Sequence, residues 1–215
     1  MKKMKVKVQE TKEEDKWSGC IQIISHVQHQ GYCGSCWAVS TASCYTDRYC
    51  IERAKKSQST QNVASNIFSS YDLLSCSRKD GCKGGWPSEA WNWIKGNGIC
   101  TGTDFPLTSV GTQGGENAIK NQLAASGPVT ACFDVYEDFK VHKGVYFRVY
   151  GKKVGKHAVV ILGYGTATCG REKVTYWIIR NSWGTNWGEG GYFKFRRGRN
   201  DCGIEGDIAY GVPKL

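Results

Sequence analysis

No stretch of this 215-residue sequence approaches the run of about 18 apolar residues that a membrane-spanning helix needs. The first sixteen residues, MKKMKVKVQETKEEDK, are charged throughout and lack the apolar segment of a signal peptide. Internal repeats and low-complexity linkers are absent as well. These absences predict a protein without a membrane span, and we expect residues 1–16 to be a solvated tail or an expression scar that carries no chemistry.

The cysteines and histidines also lack the spacing of a metal site, in which the ligands come in pairs. Cys33 and Cys36 form a C-x-x-C tetrad, but a zinc site would need a second pair of ligands at similar spacing. Cys76 and Cys82 lie six residues apart, and the four histidines are scattered. A redox tetrad of the thioredoxin type would need a βαβ frame, which the sequence lacks. Both interpretations are therefore disfavoured, and no metal or cofactor is expected.

Cysteine itself is abundant, with 11 residues. Such a count favours an oxidising compartment, because the cytosol keeps thiols reduced. The number is odd, so at least one thiol stays unpaired unless it bridges two chains. Apolar residues make up 40% and aromatic residues 12% of the chain, which is enough for a substantial core. We expect one globular domain, or one compact unit of two lobes.

The positive charge is distributed unevenly along the chain. Lys and Arg number 29 against 19 Asp and Glu, which gives a net charge of +10. Between Lys140 and Arg199 there are thirteen basic residues and two acids, Glu172 and Glu189. This excess favours a solvated basic surface, because no nucleic-acid motif accompanies it. A polyanion-binding face stays open as an alternative.

The pattern of the chain changes near Pro128. Three helices are predicted around and before it, in CWAVSTASCYTDRYCIERA, in PSEAWNWIKGNG and in GENAIKNQLAASGP. After it, VTACFDVY, GVYFRVY, HAVVILGYG, VTYWIIRNSW and GYFKFRR are β-branched and aromatic, with Gly- and Lys-rich turns between them. Helices followed by strands, without alternation, predict an α+β architecture.

Three residues far apart in the sequence predict nucleophilic catalysis. Cys36 stands where a Gly-Ser turn enters a helix, so we expect unpaired backbone N–H groups to lower the pKa of its thiol. A thiolate needs an acid/base partner, and that partner needs orienting. His157 and Asn181 follow 121 and 145 residues later. Such separations suit a triad that is assembled between two lobes.

Four motifs resemble those of the papain-like cysteine peptidases, and they occur at residues 30–37, 81–85, 157–159 and 181–184. The similarity covers most of the chain from Trp17 onward. Trp17 shortly before Cys20, DRYC, PSEAWNW, VYEDF and CGIEGD are similar to the cathepsin B branch. The resemblance implies a papain-like two-lobed fold with the active-site cleft between the lobes. A helical left lobe is expected over residues 17–115 and a β-barrel-like right lobe over residues 116–215.

The resemblance also implies roles for the motif residues. Cys36 would be the nucleophile, paired with His157 as thiolate and imidazolium. Asn181 would hold the imidazole, and Trp183 would shield that contact from water. Gln30 would donate its side-chain N–H to the oxyanion, alongside the backbone N–H of Cys36.

A substrate site is implied in the same way. Gly84 and Gly85 would bind an extended peptide like an added strand. The second residue before the cut bond would enter an apolar pocket lined by Trp86, Pro87 and Ala158. Asp207 would lie at the base of that pocket, where it could accept Arg or Lys as well as Leu or Phe.

Two disulfides are implied by the resemblance, Cys20–Cys50 and Cys33–Cys82. Five further cysteines have no assigned pairing: Cys76, Cys100, Cys132, Cys169 and Cys202. The partner of Cys76 in the relatives lies in a loop that is missing here, so Cys100 or Cys132 is expected to substitute. Cys44, in mid-helix, is expected to be a buried free thiol.

The resemblance favours a cathepsin B-like cysteine endopeptidase. Cathepsin B proper has a long loop whose two histidines capture a C-terminal carboxylate, whereas only about a dozen residues separate Gly102 from Glu116 here. Peptide or protein substrates, an inhibitory pro-segment in the precursor, and secretion or a lysosome-like acidic vesicle are implied. A catalytically idle polyanion-binding protein and a peptide transferase or ligase stay open as alternatives. Lys156 should point away from His157, because side chains alternate along a strand.

Overall fold

Most helices of the described residues precede residue 100. The protein is described by a computed structural model over residues 6–12, 16–60, 67–100, 107–142, 144–169 and 171–215. The helices are α1 (Ile21–Ile24), α2 (Cys36–Lys55), α3 (Ser70–Cys76), α4 (Pro87–Asn97) and α5 (Glu116–Ser126). Short 3₁₀ turns occur at Ser18–Cys20, Gly81–Lys83, Glu137–Val141 and Asp201–Gly203. Two of the longer helices, α4 and α5, end at glycines with positive φ, Gly98 (78°) and Gly127 (93°), as expected for helix C-termini.

Eight strands form one twisted sheet. They are β1 (Val6–Lys12), β2 (Leu107–Gln113), β3 (Val129–Tyr136), β4 (Val145–Tyr146), β5 (Lys153–Cys169), β6 (Glu172–Arg180), β7 (Tyr192–Arg196) and β8 (Ile208–Pro213). The order across the sheet is β2-β8-β3-β5-β6-β7-β4, and β1 pairs with β5. All pairs are antiparallel except β4 with β7. The α+β architecture of a papain-like fold is thus what the chain adopts.

The right lobe differs from the predicted barrel. Within the described residues the path of the sheet starts at β2 and ends at β4, so the sheet is not closed into a barrel. The strand β2 precedes residue 116 yet pairs with β8 along Leu107 to Pro213. The sheet therefore draws on both predicted segments, and the division of the lobes at residue 115 stays a prediction.

The N-terminal segment also differs from the expectation of a solvated tail. Residues 6–12 form β1, whose Val6 lies opposite Cys169 and whose Lys12 lies opposite Gly163. The reason lies in the length of β5, because its first half pairs with β3 as far as Ile161 and its second half would otherwise have an open edge. For residues 6–12 the prediction of a tail is therefore wrong.

The helix α2 is the central element of the protein. All its residues from 37 to 51 are buried, because apolar side chains face helices on one side and the sheet on the other. Its buried charges are satisfied by the neighbouring elements. Asp47 forms an ion pair with Arg180 at the end of β6, with 2.7 Å between Oδ2 and Nη2. Arg48 donates to the carbonyl oxygens of Pro128 (2.5 Å) and Gly211 (3.2 Å).

Two disulfides fix the region around the start of α2. One joins Cys20 to Cys50, and the other joins Cys33 to Cys82. In the described part of the chain, no helix has the length and apolar character needed to cross a membrane.

Candidate active site

Cys36 is the first residue of α2 and is half-buried. Burial raises the pKa of its thiol, and the backbone N–H groups of Ala158, Trp37 and Cys36 itself offset this only in part. The expectation of a lowered pKa from the helix start alone is therefore wrong. The contact with Ala158 also shows that the sulfur reaches across from α2 to β5, beside the histidine.

His157 lies on β5, opposite Phe133 of β3, and is buried. Its Nε2 is 2.7 Å from Oδ1 of Asn181. The same Oδ1 accepts the backbone N–H of Ser182 at 2.8 Å, so the oxygen is an acceptor and Nε2 carries the proton. This tautomer leaves Nδ1 as the ring nitrogen available to Cys36.

Trp183 covers the imidazole. Its ring stacks on that of His157 with a centroid distance of 4.8 Å and an interplanar angle of 28°. Phe133 meets the imidazole edge-on at 5.9 Å. Enclosed in this way, the ring loses hydration, and burial lowers the pKa of His157 to about 4, although the bond to Asn181 acts in the opposite direction.

Burial thus disfavours the charged forms of Cys36 and His157, each taken alone. Proton transfer from the Cys36 thiol to His157 leaves the net charge of the pair at zero, so thiolate and imidazolium compensate each other. A nucleophilic thiolate in a dry site requires such a compensated pair.

Gln30 is fixed by contacts with Ser182 and Cys33. Its backbone N–H donates to the carbonyl of Ser182 at 2.9 Å, and its Oε1 accepts the Ser182 hydroxyl at 2.6 Å. Its Nε2 donates to the carbonyl of Cys33 at 2.9 Å. A side-chain amide has two N–H groups, so one stays available for an oxyanion. His29 and Trp183 form a β-bridge beside this contact, which ties the segment before α2 to the segment after β6.

Cys36 and His157 line a cleft of about 610 Å³. Its walls include the glycine pair, a tryptophan and the strand that carries the histidine, namely Gly84, Gly85, Trp86, His157 and Ala158. A Cβ at Gly85 would lie 2.6 Å from the ring of Trp37, so only glycine fits there. The N–H of Gly34 bonds to the carbonyl of Cys82 at 2.9 Å, which holds the glycine segment beside the start of α2.

A second pocket of about 340 Å³ adjoins the cleft and shares the walls Trp86 and Cys132 with it. Its other walls include Pro87, Thr130, Asp207 and Ala209. The structure thus brings Trp86, Pro87 and the exposed Asp207 together. Ala158 lies on the main cleft, and Trp183 lies on the imidazole.

Two cleft residues escaped the sequence reasoning. Cys132 lies opposite Ala158 in the pairing of β3 with β5 and faces both cavities. Lys156 leaves β5 on the face of Asp134, opposite to the face of His157 as the alternation predicts, yet its long side chain also lines the cleft with Cys36. The position of Cys132 in the cleft depends on the register of β3 against β5, which the sequence does not show. The position of Lys156 depends on the length of its side chain, which the sequence analysis did not consider.

The remaining cysteines occupy different environments. Asp72 accepts the backbone N–H of Cys100 at 3.0 Å and also hydrogen-bonds the thiol of Cys76. Of the two candidate partners of Cys76, Cys100 therefore lies beside it, whereas Cys132 lies in the cleft. Cys44 is buried, and its thiol bonds to the carbonyl of Pro128 at 3.1 Å. The side chain of Cys169 falls outside the described residues.

Known proteins share this arrangement. The model of the papain family of cysteine proteases matches residues 12–115 and 108–212. Cathepsin B-like cysteine proteinase 1 of Haemonchus contortus is 33% identical over 255 aligned positions, which cover 92% of this chain and 71% of that protein. A gut-specific cysteine proteinase of Caenorhabditis elegans is 36% identical over 247 positions, which cover 93% and 71%.

Solved structures agree with the sequence matches. Procathepsin B S9 from Trypanosoma congolense superposes with a TM-score of 0.82 at 30% identity, over 99% of this chain and 80% of that one. Digestive procathepsin L2 from Tenebrio molitor larval midgut gives a TM-score of 0.76 at 28% identity, over 96% and 68%.

Proposed function

Since this chain belongs to the papain family of cysteine proteases, we propose that it is a cathepsin B-like endopeptidase that forms an acyl-enzyme on Cys36. The observation that carries this proposal is the placement of His157. Its Nε2 is bound to Asn181 at 2.7 Å, which leaves the other ring nitrogen for the half-buried thiol that lines the same cavity. Acyl transfer requires a nucleophile, a base next to it and a group that orients the base, which is here the amide of Asn181.

The proposed reaction has two steps. The thiolate of Cys36 attacks the scissile carbonyl carbon, and the carbonyl electrons move to the oxygen. That oxyanion accepts N–H bonds from Gln30 and from the backbone of Cys36, and loss of one such donor costs roughly 3 kcal/mol in the transition state. Collapse expels the amine, which takes its proton from His157. The imidazole then removes a proton from water, which attacks the thioester and releases the acid.

Endopeptidase action is supported by the shortness of one segment. Residues 101–106 alone separate Cys100 from β2, and the four histidines of the chain, at positions 26, 29, 142 and 157, all lie elsewhere. This segment cannot supply the two-histidine loop that binds a C-terminal carboxylate in cathepsin B. Peptides amidated at the C-terminus should therefore be cut as fast as the same peptides with a free carboxylate.

The central experiment combines labelling with kinetics. An epoxide probe should label Cys36, and Cys36→Ala and His157→Ala should keep the thermal unfolding curve and lose hydrolysis of dipeptidyl amides. Cys76→Ala, which removes an exposed thiol outside the cleft, serves as the matched control and should retain both labelling and hydrolysis. Near-normal turnover of His157→Ala would refute the mechanism. Products containing an added amine in place of water would favour the transferase alternative.

The second pocket is proposed to receive the second residue before the cut bond. Its apolar walls and its carboxylate, Asp207, support acceptance of both apolar and basic side chains. Asp207→Ala should lower cleavage of Arg-Arg relative to Phe-Arg substrates by about tenfold, the worth of one partly exposed charge-assisted bond. An unchanged ratio would contradict this role.

Partners and location are proposed from the relatives and the chemistry of the chain. An inhibitory pro-segment is supported by the procathepsin structures that superpose on the chain. Two disulfides support secretion or an acidic vesicle. A polyanion partner stays an alternative, to which Arg180, Arg196 and Arg197 would not contribute because they are paired with Asp47, Asp201 and Glu116.

A further inference from the structure

A lysine side chain spans the catalytic cleft. Lys156 immediately precedes His157 on β5, and its side chain is 52% exposed. It lines the same cavity as Cys36. Its Nζ lies 5.5 Å from the ring centroid of Trp86, which follows the glycine pair and also lines this cavity. A substrate strand running along the glycine pair must pass beside this ammonium group.

The charge of Lys156 is only partly compensated. The nearest carboxylate is Asp134, whose Oδ1 lies 3.1 Å from Lys156 and 2.8 Å from Lys153. One carboxylate therefore serves two ammonium groups, and this cluster of three keeps a net charge of +1.

Two other cations line the cleft, and each has an acid of its own. Arg78 lies 3.6 Å from Glu89, and Lys83 lies 3.3 Å from Asp80. Lys156 is thus the cleft cation, within the described ranges, that shares its carboxylate with a second lysine. A negative charge on the substrate could therefore pair with the ammonium group of Lys156, and no one-to-one ion pair would have to break.

The substrate position follows from strand geometry. In an extended peptide, successive side chains point to opposite faces. If the second residue before the cut enters the pocket of Asp207, the residue immediately before the cut points out of that pocket, toward the rim where Lys156 reaches over. We propose that Lys156 is a specificity-determining residue that selects Asp or Glu immediately before the cut bond. This inference rests on the proposed peptidase function.

The test is a pair of substrate series that differ only by Glu or Gln, placed one, two or three residues before the cut. With Glu immediately before the cut, kcat/KM should exceed that for Gln by about tenfold at low salt, and 0.5 M NaCl should reduce the preference. Comparing Glu with Gln inside each enzyme cancels any general effect of a substitution on turnover.

Four proteins complete the design. Lys156→Met should bring the ratio of Glu to Gln close to one, and Lys156→Glu should invert it. Asp134→Asn, which removes the competing carboxylate, should raise the ratio. Lys173→Met removes an exposed lysine of β6 that does not line the cleft, so it controls for net charge and should leave the ratio unchanged.

The outcomes separate the two proposals. Cleavage of all peptides with a ratio near one in the unmodified protein overturns the inference, as does a preference that survives in Lys156→Met. A preference found only two or three residues before the cut overturns the assigned position. Absence of cleavage of every peptide, Glu or Gln, counts against the peptidase function itself.

Discussion

The ion pair between Arg180 and Asp47 offers a direct test of what holds α2 to the sheet. Its side chains are 2% and 1% exposed, and the guanidinium also donates to the carbonyls of Ile23 and Ile24 and to the hydroxyl of Ser43. Asp47 lies on α2, whereas Arg180 ends β6. Burial raises the pKa of Asp47, and Arg180 counteracts that rise by favouring the carboxylate. The substitution to make is Asp47→Asn, which keeps the shape and removes the charge.

The expected loss is large because it leaves a buried guanidinium without a counterion. Breaking a buried pair by removing one partner costs roughly 3–5 kcal/mol. For a chain of this size, 1 kcal/mol shifts Tm by about 2–4 °C, so Asp47→Asn should lower Tm by about 6–20 °C. The double variant Asp47→Leu with Arg180→Met removes both charges. It should be more stable than Asp47→Asn, although it changes twice as many residues.

Thermal unfolding measured by circular dichroism provides the assay, with every variant made in the Cys36→Ala background to prevent self-digestion. Asp80→Asn is the matched control, because Asp80 pairs with Lys83 where both side chains are exposed (65% and 80%). Exposed pairs contribute about 0–1 kcal/mol, so the control should shift Tm by less than about 4 °C. Equal shifts for Asp47→Asn and Asp80→Asn would refute the argument from burial.

Two further predictions concern pH and thiol reactivity. Burial alone would raise the pKa of Asp138, but bonds from the N–H of Val149 (2.8 Å) and the hydroxyl of Tyr146 (2.9 Å) outweigh it and hold the pKa below the ordinary 3.8. Asp138→Asn should cost about 1–3 kcal/mol of unfolding free energy at neutral pH. The deficit should shrink as pH falls below 3.8 and through the lower pKa of the folded state, because the contribution of a depressed carboxyl is present above its unfolded pKa and is lost on protonation. A deficit of the same size at pH 6 and pH 2 would contradict this. Burial raises the pKa of Cys132 to about 12, so iodoacetamide at pH 8 should alkylate it in Cys36→Ala at least about tenfold more slowly than it alkylates free cysteine. Mass spectrometry of timed samples would measure this rate, and alkylation as fast as that of free cysteine would contradict the prediction.

The sequence predicted the elements that carry their own periodicity. The helix from Cys36 was expected to end near Ala54 and ends at Lys55, and the run VTACFDVY forms β3. The segment GVYFRVY was expected to form a strand throughout, yet Val145 and Tyr146 alone do so, because Val149 is 72% exposed and has no sheet neighbour to cover it. Local β propensity indicates which segments can form strands, but a segment forms one only where its side chains are buried against a neighbour.

The strands that were missed depend on distant partners. The charged run at residues 6–12 becomes β1 because β5, about 150 residues later, is long enough to leave an edge uncovered. The same holds in the cleft. Cys36, His157, Asn181 and Gln30 were predicted from motifs, and the structure brings them together. Lys156 and Cys132 have no motif, since their access to the cavity depends on strand register and side-chain reach.

Cys33 and Cys36 lie three residues apart but need opposite redox states, because Cys33 is in a disulfide and Cys36 has to stay a free thiol. The bridge to Cys82 holds the glycine segment, and the carbonyl of Cys33 holds the amide of Gln30. Strong reductants that keep the nucleophile free of oxidation would also open this bridge, and mild oxidants that preserve the bridge would convert the nucleophile to a sulfenic acid or a mixed disulfide. Activity should therefore be confined to a window of ambient reduction potential, so that the redox poise of a compartment, as well as its acidity, would determine where the chain can work.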